Sequence, residues 1–329
     1  MNYIGSKLTL TPWIKSLVYK ICGENLKNKV FCDLFAGTGI VGRSFKNEVK
    51  QIISNDFEYY AYVLNKNYIE NSQNLSNANS LIDYLNNLEP QKGFIYQNYA
   101  MGSGSTRMYF SDKNAMKIDA IRMQISNLEN KRSKDEFYFL LASLLESADI
   151  IANTASVYGA FLKRLKASAK KEFILKPAKF EITNQKNEVY NEDANLLIKK
   201  IKGDILYLDP PYNARQYGAN YHLLNTIALY DDFIPRGKTG LREYNRSKYC
   251  SKNSVLDEFE SLIKAANFKY IFLSYNNEGL MSLKEIKEIM SKYGKYSVCK
   301  KEYSRFKADN NRTHKADKTY EFLHVLIKR

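Results

Sequence analysis

Hydrophobic and polar positions alternate along this chain with two rhythms. Leu10, Trp13, Ile14, Leu17, Val18 and Ile21 fall three and four apart, which predicts an amphipathic helix burying one stripe. Val30–Phe35 reads as a buried strand that runs into the turn Ala36-Gly37-Thr38-Gly39, and a helix resumes over Ile40–Phe45. A second strand, Gln51–Asn55, ends at Asp56, and the aromatic stretch Tyr59–Tyr68 reads as the helix after it. The alternation lapses from about Asn71 to Glu188. There a polar Asn/Ser stretch, the loop Gly102-Ser103-Gly104-Ser105 and helices such as the one carrying Phe137, Leu140, Leu141, Leu144, Leu145 and Ala148 take over. Strand-like segments return at Val189–Asp193, Gly203–Leu208 and Tyr270–Tyr275, with the helix Ala194–Lys200 between the first two. Two closing strands are expected at Tyr296–Tyr303 and Tyr320–Ile327, as a C-terminal hairpin. The expected fold is therefore α/β: a Rossmann-like doubly wound sheet from residues 1–70 and 189–329, interrupted by a mostly helical lobe at 71–188.

Each predicted strand end carries residues with chemical potential. Gly37-Thr38-Gly39-Ile40-Val41-Gly42 matches the G-x-G-x-x-G spacing that lets backbone approach a nucleotide-like ligand. Asp56 ends the next strand about 20 residues on, where an acid can bond ribose hydroxyls. The two features together indicate an adenosine-containing cofactor, and a dinucleotide dehydrogenase would share them. The segment Asp209-Pro210-Pro211-Tyr212 separates the two cases. An adenine amino group is a poor nucleophile because its lone pair is delocalised into the ring. Two acceptors aimed at its N–H bonds favour a tetrahedral, reactive nitrogen. The Asp209 carboxylate supplies one acceptor and the Pro210 carbonyl the other, its direction fixed by the prolines. Tyr212 is placed to stack on an extruded base and to face a cationic methyl donor.

Composition adds a partner class. Lys and Arg number 50 against 35 Asp and Glu, a formal charge of +15, and that sign favours a polyanion. A genome with A/T-rich codons would also enrich lysine. The four cysteines, Cys22, Cys32, Cys250 and Cys299, form no Cys-x-x-Cys pair, and His222, His314 and His324 lie at no zinc-ligand spacing from them, so no metal is expected. With no run near the roughly 20 apolar residues of a membrane span and no apolar leader, a cytoplasmic protein without membrane attachment is expected.

On these motifs the chain resembles the Dam-like, alpha-group adenine-specific DNA methyltransferases, many of them partners of restriction enzymes. Asn2-Tyr3-Ile4-Gly5-Ser6-Lys7 is similar to the family's N-terminal cofactor segment, Asp33-Leu34-Phe35-Ala36-Gly37-Thr38-Gly39 to its cofactor loop, and Asp209-Pro210-Pro211-Tyr212 to its catalytic motif. Leu34 departs from the proline that many relatives carry there. The resemblance implies S-adenosylmethionine as cofactor and duplex DNA as substrate, with a cognate restriction endonuclease as a possible cellular partner. It implies a cofactor site built from Tyr3, Lys7, Asp33, Phe35, Ala36, Gly37, Thr38, Gly39, Asp56, Phe57, Asp193, Ala194 and Asp209. It also implies that the inserted lobe recognises the target.

Basic and aromatic residues interleave beyond the catalytic motif and after Phe161. Candidate DNA contacts are Lys163, Arg164, Lys166, Arg215, Tyr217, Tyr221, Arg242, Arg246 and Lys248, since cations neutralise phosphates and aromatic faces stack on exposed bases. Arg107, Arg122 and Arg164 are candidates for guanine edges, none assigned to a base. His222 is read as structural or phosphate-touching and not as a base. Two rival readings are an RNA adenine methyltransferase, disfavoured because such enzymes more often resemble this motif with Asn at the position of Asp209, and a DNA-binding regulator with a vestigial cofactor site.

Overall fold

A computed structural model describes residues 6–304 and 318–329. The chain divides into two compact units, each built from more than one stretch of sequence.

The first unit holds a seven-stranded sheet: β1 (Val30–Asp33), β2 (Gln51–Asn55), β3 (Glu188–Tyr190), β4 (Lys202–Leu208), β5 (Asn267–Asn276), β6 (Gly294–Ser304) and β7 (Lys318–Lys328). Their order is β3-β2-β1-β4-β5-β7-β6. The first five strands are parallel, while β7 runs antiparallel to both β5 and β6. This is the expected Rossmann-like α/β sheet with its C-terminal hairpin. Phe31, Ile52, Leu206, Ile271, Phe272 and Leu326 are fully buried in it, as near-continuous apolar runs must be in a sheet covered on both faces. Two helices not anticipated from the sequence, Val255–Ala265 and Leu283–Ser291, set Val255, Phe259, Leu262, Ile286, Ile289 and Met290 into the same apolar cluster. The helix expected over Tyr59–Tyr68 is α-helical at Tyr59–Asn65 and continues as a π-turn over Lys66–Glu70.

The second unit spans residues 66–182 and 217–244 among the described residues. Its main helices are Ala78–Asn86, Asp112–Glu129, Lys134–Ile151 and His222–Leu229. Segment 217–244, expected in the catalytic domain, packs instead with these helices, and buried polar contacts give the reason. The Arg122 guanidinium donates to the carbonyls of Ile227 and Ala228, both at 2.9 Å. The Tyr230 hydroxyl donates to Asp119 at 2.7 Å, whose carboxylate also accepts the N–H groups of Gly93, Ile95 and Tyr96. Tyr99 donates its hydroxyl to the carbonyl of Gly240. The lobe is thus closed by a second excursion of the chain shortly after Asp209-Pro210-Pro211-Tyr212.

Arg122→Met should lower the unfolding free energy of the protein by roughly 2–4 kcal/mol, because it strips a charged donor from two buried carbonyls. Urea unfolding checks this. No helix among the described residues is long and apolar enough to cross a membrane.

Candidate active site

Because β1 to β5 are parallel, their carboxyl ends share one edge of the sheet, where open α/β folds bind ligands. The loop after β1 turns at Gly37 (φ +53°) and Gly39 (φ +76°), left-handed values that disfavour any side chain. Gly39 caps the helix Ile40–Phe45, and a Cβ there would meet Asn65 Oδ1 at 2.6 Å. Asn65 braces the turn, donating to the Gly37 carbonyl at 2.9 Å while accepting the Ser54 hydroxyl at 2.7 Å.

Acids punctuate this edge. Asp33 ends β1 fully buried; one carboxyl oxygen accepts the Gly42 N–H at 2.9 Å, and the other has no hydrogen-bond partner among the described residues. Burial pushes its pKa up to about 7, with the Gly42 N–H opposing and the Asp209 and Asp56 charges adding. Asp56 follows β2 and accepts the Gly37 N–H at 2.7 Å and the Glu58 N–H at 2.9 Å. Desolvation raises it to about 6 against those backbone donors. Asp193, beyond β3, is exposed and caps the helix Ala194–Leu197, accepting from Asn195 and Leu196 N–H. Phe35, Ala36, Thr38 and Phe57 are half-buried, and Ala194 is buried. The Phe35 ring meets Tyr249 edge-on at 5.1 Å.

The fourth strand delivers Asp209. Pro210 is buried; Pro211 and Tyr212 are half-buried, and the Tyr212 carbonyl accepts the Leu280 N–H at 3.0 Å, which ties this loop to the one after β5. The Asp209 side chain keeps 19% exposure and meets the Lys7 ammonium at 2.7 Å. Lys7 also lies 3.5 Å from Glu321 on β7, and Glu321 accepts the Ser274 hydroxyl from β5. Burial alone would lower the Lys7 pKa, but Asp209, Glu321 and Tyr207 outweigh it and raise it well above the ordinary value. Asp209 itself is raised to about 6: burial lifts it, Lys7 pulls it down, and Glu321 lifts it further.

The sheet unit therefore brings Lys7, Asp33, Phe35, Ala36, Gly37, Thr38, Gly39, Asp56, Phe57, Asp193, Ala194 and Asp209 to one family of loops. Tyr3 lies outside the described residues. Three contributors escape the sequence reading: Asn65, Ser274 and Glu321. A signal for the last exists, since Glu321 shares strand parity with Leu323 and Val325, which face inward. An acid at an inward position in an apolar strand needs a cation.

The DNA candidates fare unevenly. Lys163, Arg164, Arg215, Arg246 and Lys248 are exposed, though Lys248 pairs with Glu258 at 2.7 Å. Packing corrects the reading of Tyr221 and engages Arg242 and Lys166 within the protein. Tyr221 is fully buried, stacked on Tyr217 with ring centroids 6.1 Å apart, and cannot present its face to a base. Arg242 is spent on a bidentate pair with Asp231 at 2.9 and 2.8 Å and lies over the Phe233 ring. The Lys166 ammonium, half-buried, donates to the Thr154 carbonyl at 2.8 Å. Arg122 is likewise buried, and Arg107 donates to the carbonyls of Asn98, Pro235 and Gly237. His222 is structural: fully buried, it contacts the Tyr158 carbonyl at 3.0 Å, and desolvation drives its pKa down to about 4.

The chain is similar to known proteins over most of its length. A type II methyltransferase of Neisseria lactamica, M.NlaIII, is 63% identical over 100% of this chain and 99% of its own length. M.CviAII of Paramecium bursaria Chlorella virus 1 is 41% identical over 94% of this chain and 93% of its own. M.FokI of Planomicrobium okeanokoites is also 41% identical over 100% of this chain, which spans only 53% of that longer protein. The model of the D12 class N6 adenine-specific DNA methyltransferases matches residues 3–291, and the chain belongs to that family.

Proposed function

We propose that the chain moves a methyl group from S-adenosylmethionine to the exocyclic nitrogen of a flipped adenine at a specific site in duplex DNA, as the modifying partner of a restriction endonuclease in the cytoplasm. The observation that carries this reading is the Asp209 carboxylate, partly exposed at the carboxyl end of β4, on the sheet edge that also holds the glycine turn after β1 and Asp56 after β2.

The residues present suit such a donor. The turn at Gly37 and Gly39 holds positive φ at both glycines, which keeps side chains off the backbone of the loop that would approach the donor. Asp56, although engaged by two backbone N–H groups, keeps lone pairs for ribose hydroxyls. Asp33 holds a buried oxygen without a hydrogen-bond partner among the described residues. Phe35 and Tyr212 offer half-buried aromatic faces beside the loops. When bound, the donor supplies an electrophilic methyl on a cationic sulfur.

The chain's own groups prepare the nucleophile. Asp209 accepts one amino hydrogen and the Pro210 carbonyl the other, localising the nitrogen lone pair that forms the new C–N bond while the C–S pair stays with sulfur. Positive charge then rests on the nitrogen, beside Asp209, until its surplus proton leaves to water. No metal and no covalent attachment to the protein is required. The helical unit, with exposed Lys163 and Arg164, serves target recognition in this reading, and Arg215 and Arg246 meet phosphates.

Tritiated methyl incorporation separates the substrates. Label should enter duplex DNA and be recovered on digestion as N6-methyladenine, with structured RNA staying at background. Label confined to RNA would overturn the reading.

A further inference from the structure

Glu321 is a costly residue with no role in the scheme above. It is 2% exposed on β7, in register with Asn276 of β5, and holds a carboxylate where burial costs several kcal/mol unless a partner offsets it. Lys7 and Asp209 would already form a neutral pair without it. With Glu321 these three side chains carry two carboxylates and one ammonium, a formal charge of −1 among the described residues.

That surplus matters for the reaction proposed above, on which this inference rests. An ammonium fixed to Asp209 competes with the adenine amino group for the same acceptor and cancels the charge that should face the developing cation. We propose that Glu321 is a positioning residue that draws the Lys7 ammonium off Asp209 when adenine enters, leaving Asp209 as an anionic acceptor. The shift needed is about 0.7 Å, from the present 3.5 Å to the ~2.8 Å of a charged hydrogen bond. A lysine stem accommodates this by small torsional changes. Ser274 keeps Glu321 in place by donating its hydroxyl to the same oxygen that faces Lys7.

The groups around the two acids define the test. Asp209 feels Lys7 from the N-terminal segment, Glu321 from β7, Tyr207 from β4 and Asp33 from β1, with Tyr212 beside it in the loop. Glu321 faces Lys7, Asp209, Ser274 and Tyr212. Its charge raises Asp209, whereas the groups acting most on Asp33 and Asp56 do not include it. Activity needs Asp209 ionised, so kcat/KM for DNA should fall as pH drops through about 6 in the native enzyme.

Glu321→Gln keeps acceptors for Ser274 and Lys7. It should reduce kcat about tenfold and move the acid limb down by about one pH unit, the size of effect a nearby like charge exerts. Donor affinity, measured by titration, should stay unchanged. Lys7→Met should lift the acid limb, because two buried carboxylates are left facing each other, and adding Glu321→Gln to it should recover part of the lost rate. The same substitution thus harms the native enzyme and helps the Lys7 variant, a reversal that a merely structural role does not produce. An unmoved acid limb in Glu321→Gln, or a double variant no better than Lys7→Met, overturns the proposal. If Asp209→Ala is inert while Glu321→Gln behaves like the native enzyme, this inference alone falls; an active Asp209→Ala removes the reading beneath it.

Discussion

Asp209→Ala is expected to bind the methyl donor with near-native affinity and to lose about 10³-fold or more in the single-turnover rate of methyl transfer to duplex DNA. The loss of rate follows from removing an acceptor aimed at the nitrogen where charge develops, since deleting one such preorganised group costs 10²–10³-fold even when the group is neutral. Retention of fold and donor binding follows from the surroundings. Lys7 lies 3.5 Å from Glu321 and so is not left as an unpaired buried cation, and the donor loops are held by Asp56, Asn65 and Asp33, none of which needs Asp209 as a hydrogen-bond partner. Asp209→Asn should fall between, keeping an oxygen acceptor but not its charge. Rapid-quench measurement of methyl transfer, beside a donor titration, checks both; turnover near the native rate in Asp209→Ala would defeat the mechanism.

Gly39→Val should weaken donor binding by about 100-fold or more and lower stability by roughly 2 kcal/mol or above, since a β-branched residue is a genuine outlier at positive φ. Backbone strain is only the first term. A Cβ at Gly39 would lie 2.6 Å from Asn65 Oδ1, so Asn65 must move and release the Gly37 carbonyl and the Ser54 hydroxyl. The turn then loses the brace that sets its shape. Gly104 provides the control, with a similar φ of +84° and nothing within 4 Å of its would-be Cβ. Gly104→Ala should cost stability about 1 kcal/mol through backbone strain while leaving donor affinity unchanged. Calorimetric titration of both variants separates strain from loss of the site.

Much of the sheet is legible because buried parallel strands write themselves as apolar runs, and three of them, β1, β2 and β4, run directly into Asp33, Asp56 and Asp209 at the ligand edge. Strand bounds shift by only a few residues, as at β5, which extends to Asn267–Asn276 because Asn267 and Asn276 pair with neighbouring strands although neither is apolar. The two helices Val255–Ala265 and Leu283–Ser291 carry a readable i, i+4 spacing, but many charges between the apolar positions mask it. Segment 217–244 misleads for a different reason. Its tyrosines and arginines have the composition of a nucleic-acid surface, yet Tyr221, Arg242 and Tyr230 are spent on contacts within the helical unit. Composition reports which residues are present and not which way they face. Within the candidate site the loop motifs are local in sequence and therefore visible. The cluster of Lys7, Asp209, Ser274 and Glu321 joins positions more than 200 residues apart, and only the sheet order, with β7 inserted between β5 and β6, brings it together.

The most direct test of the account is the geometry of a ternary complex of the protein with duplex DNA and a non-reactive donor analogue. The account predicts an extruded adenine whose amino nitrogen lies about 3 Å from the Asp209 carboxylate, with Lys7 drawn to Glu321 and the analogue seated on the turn at Gly37 and Gly39. An adenine seated away from Asp209, or an Asp209 still closed on Lys7 with the base in place, would contradict it.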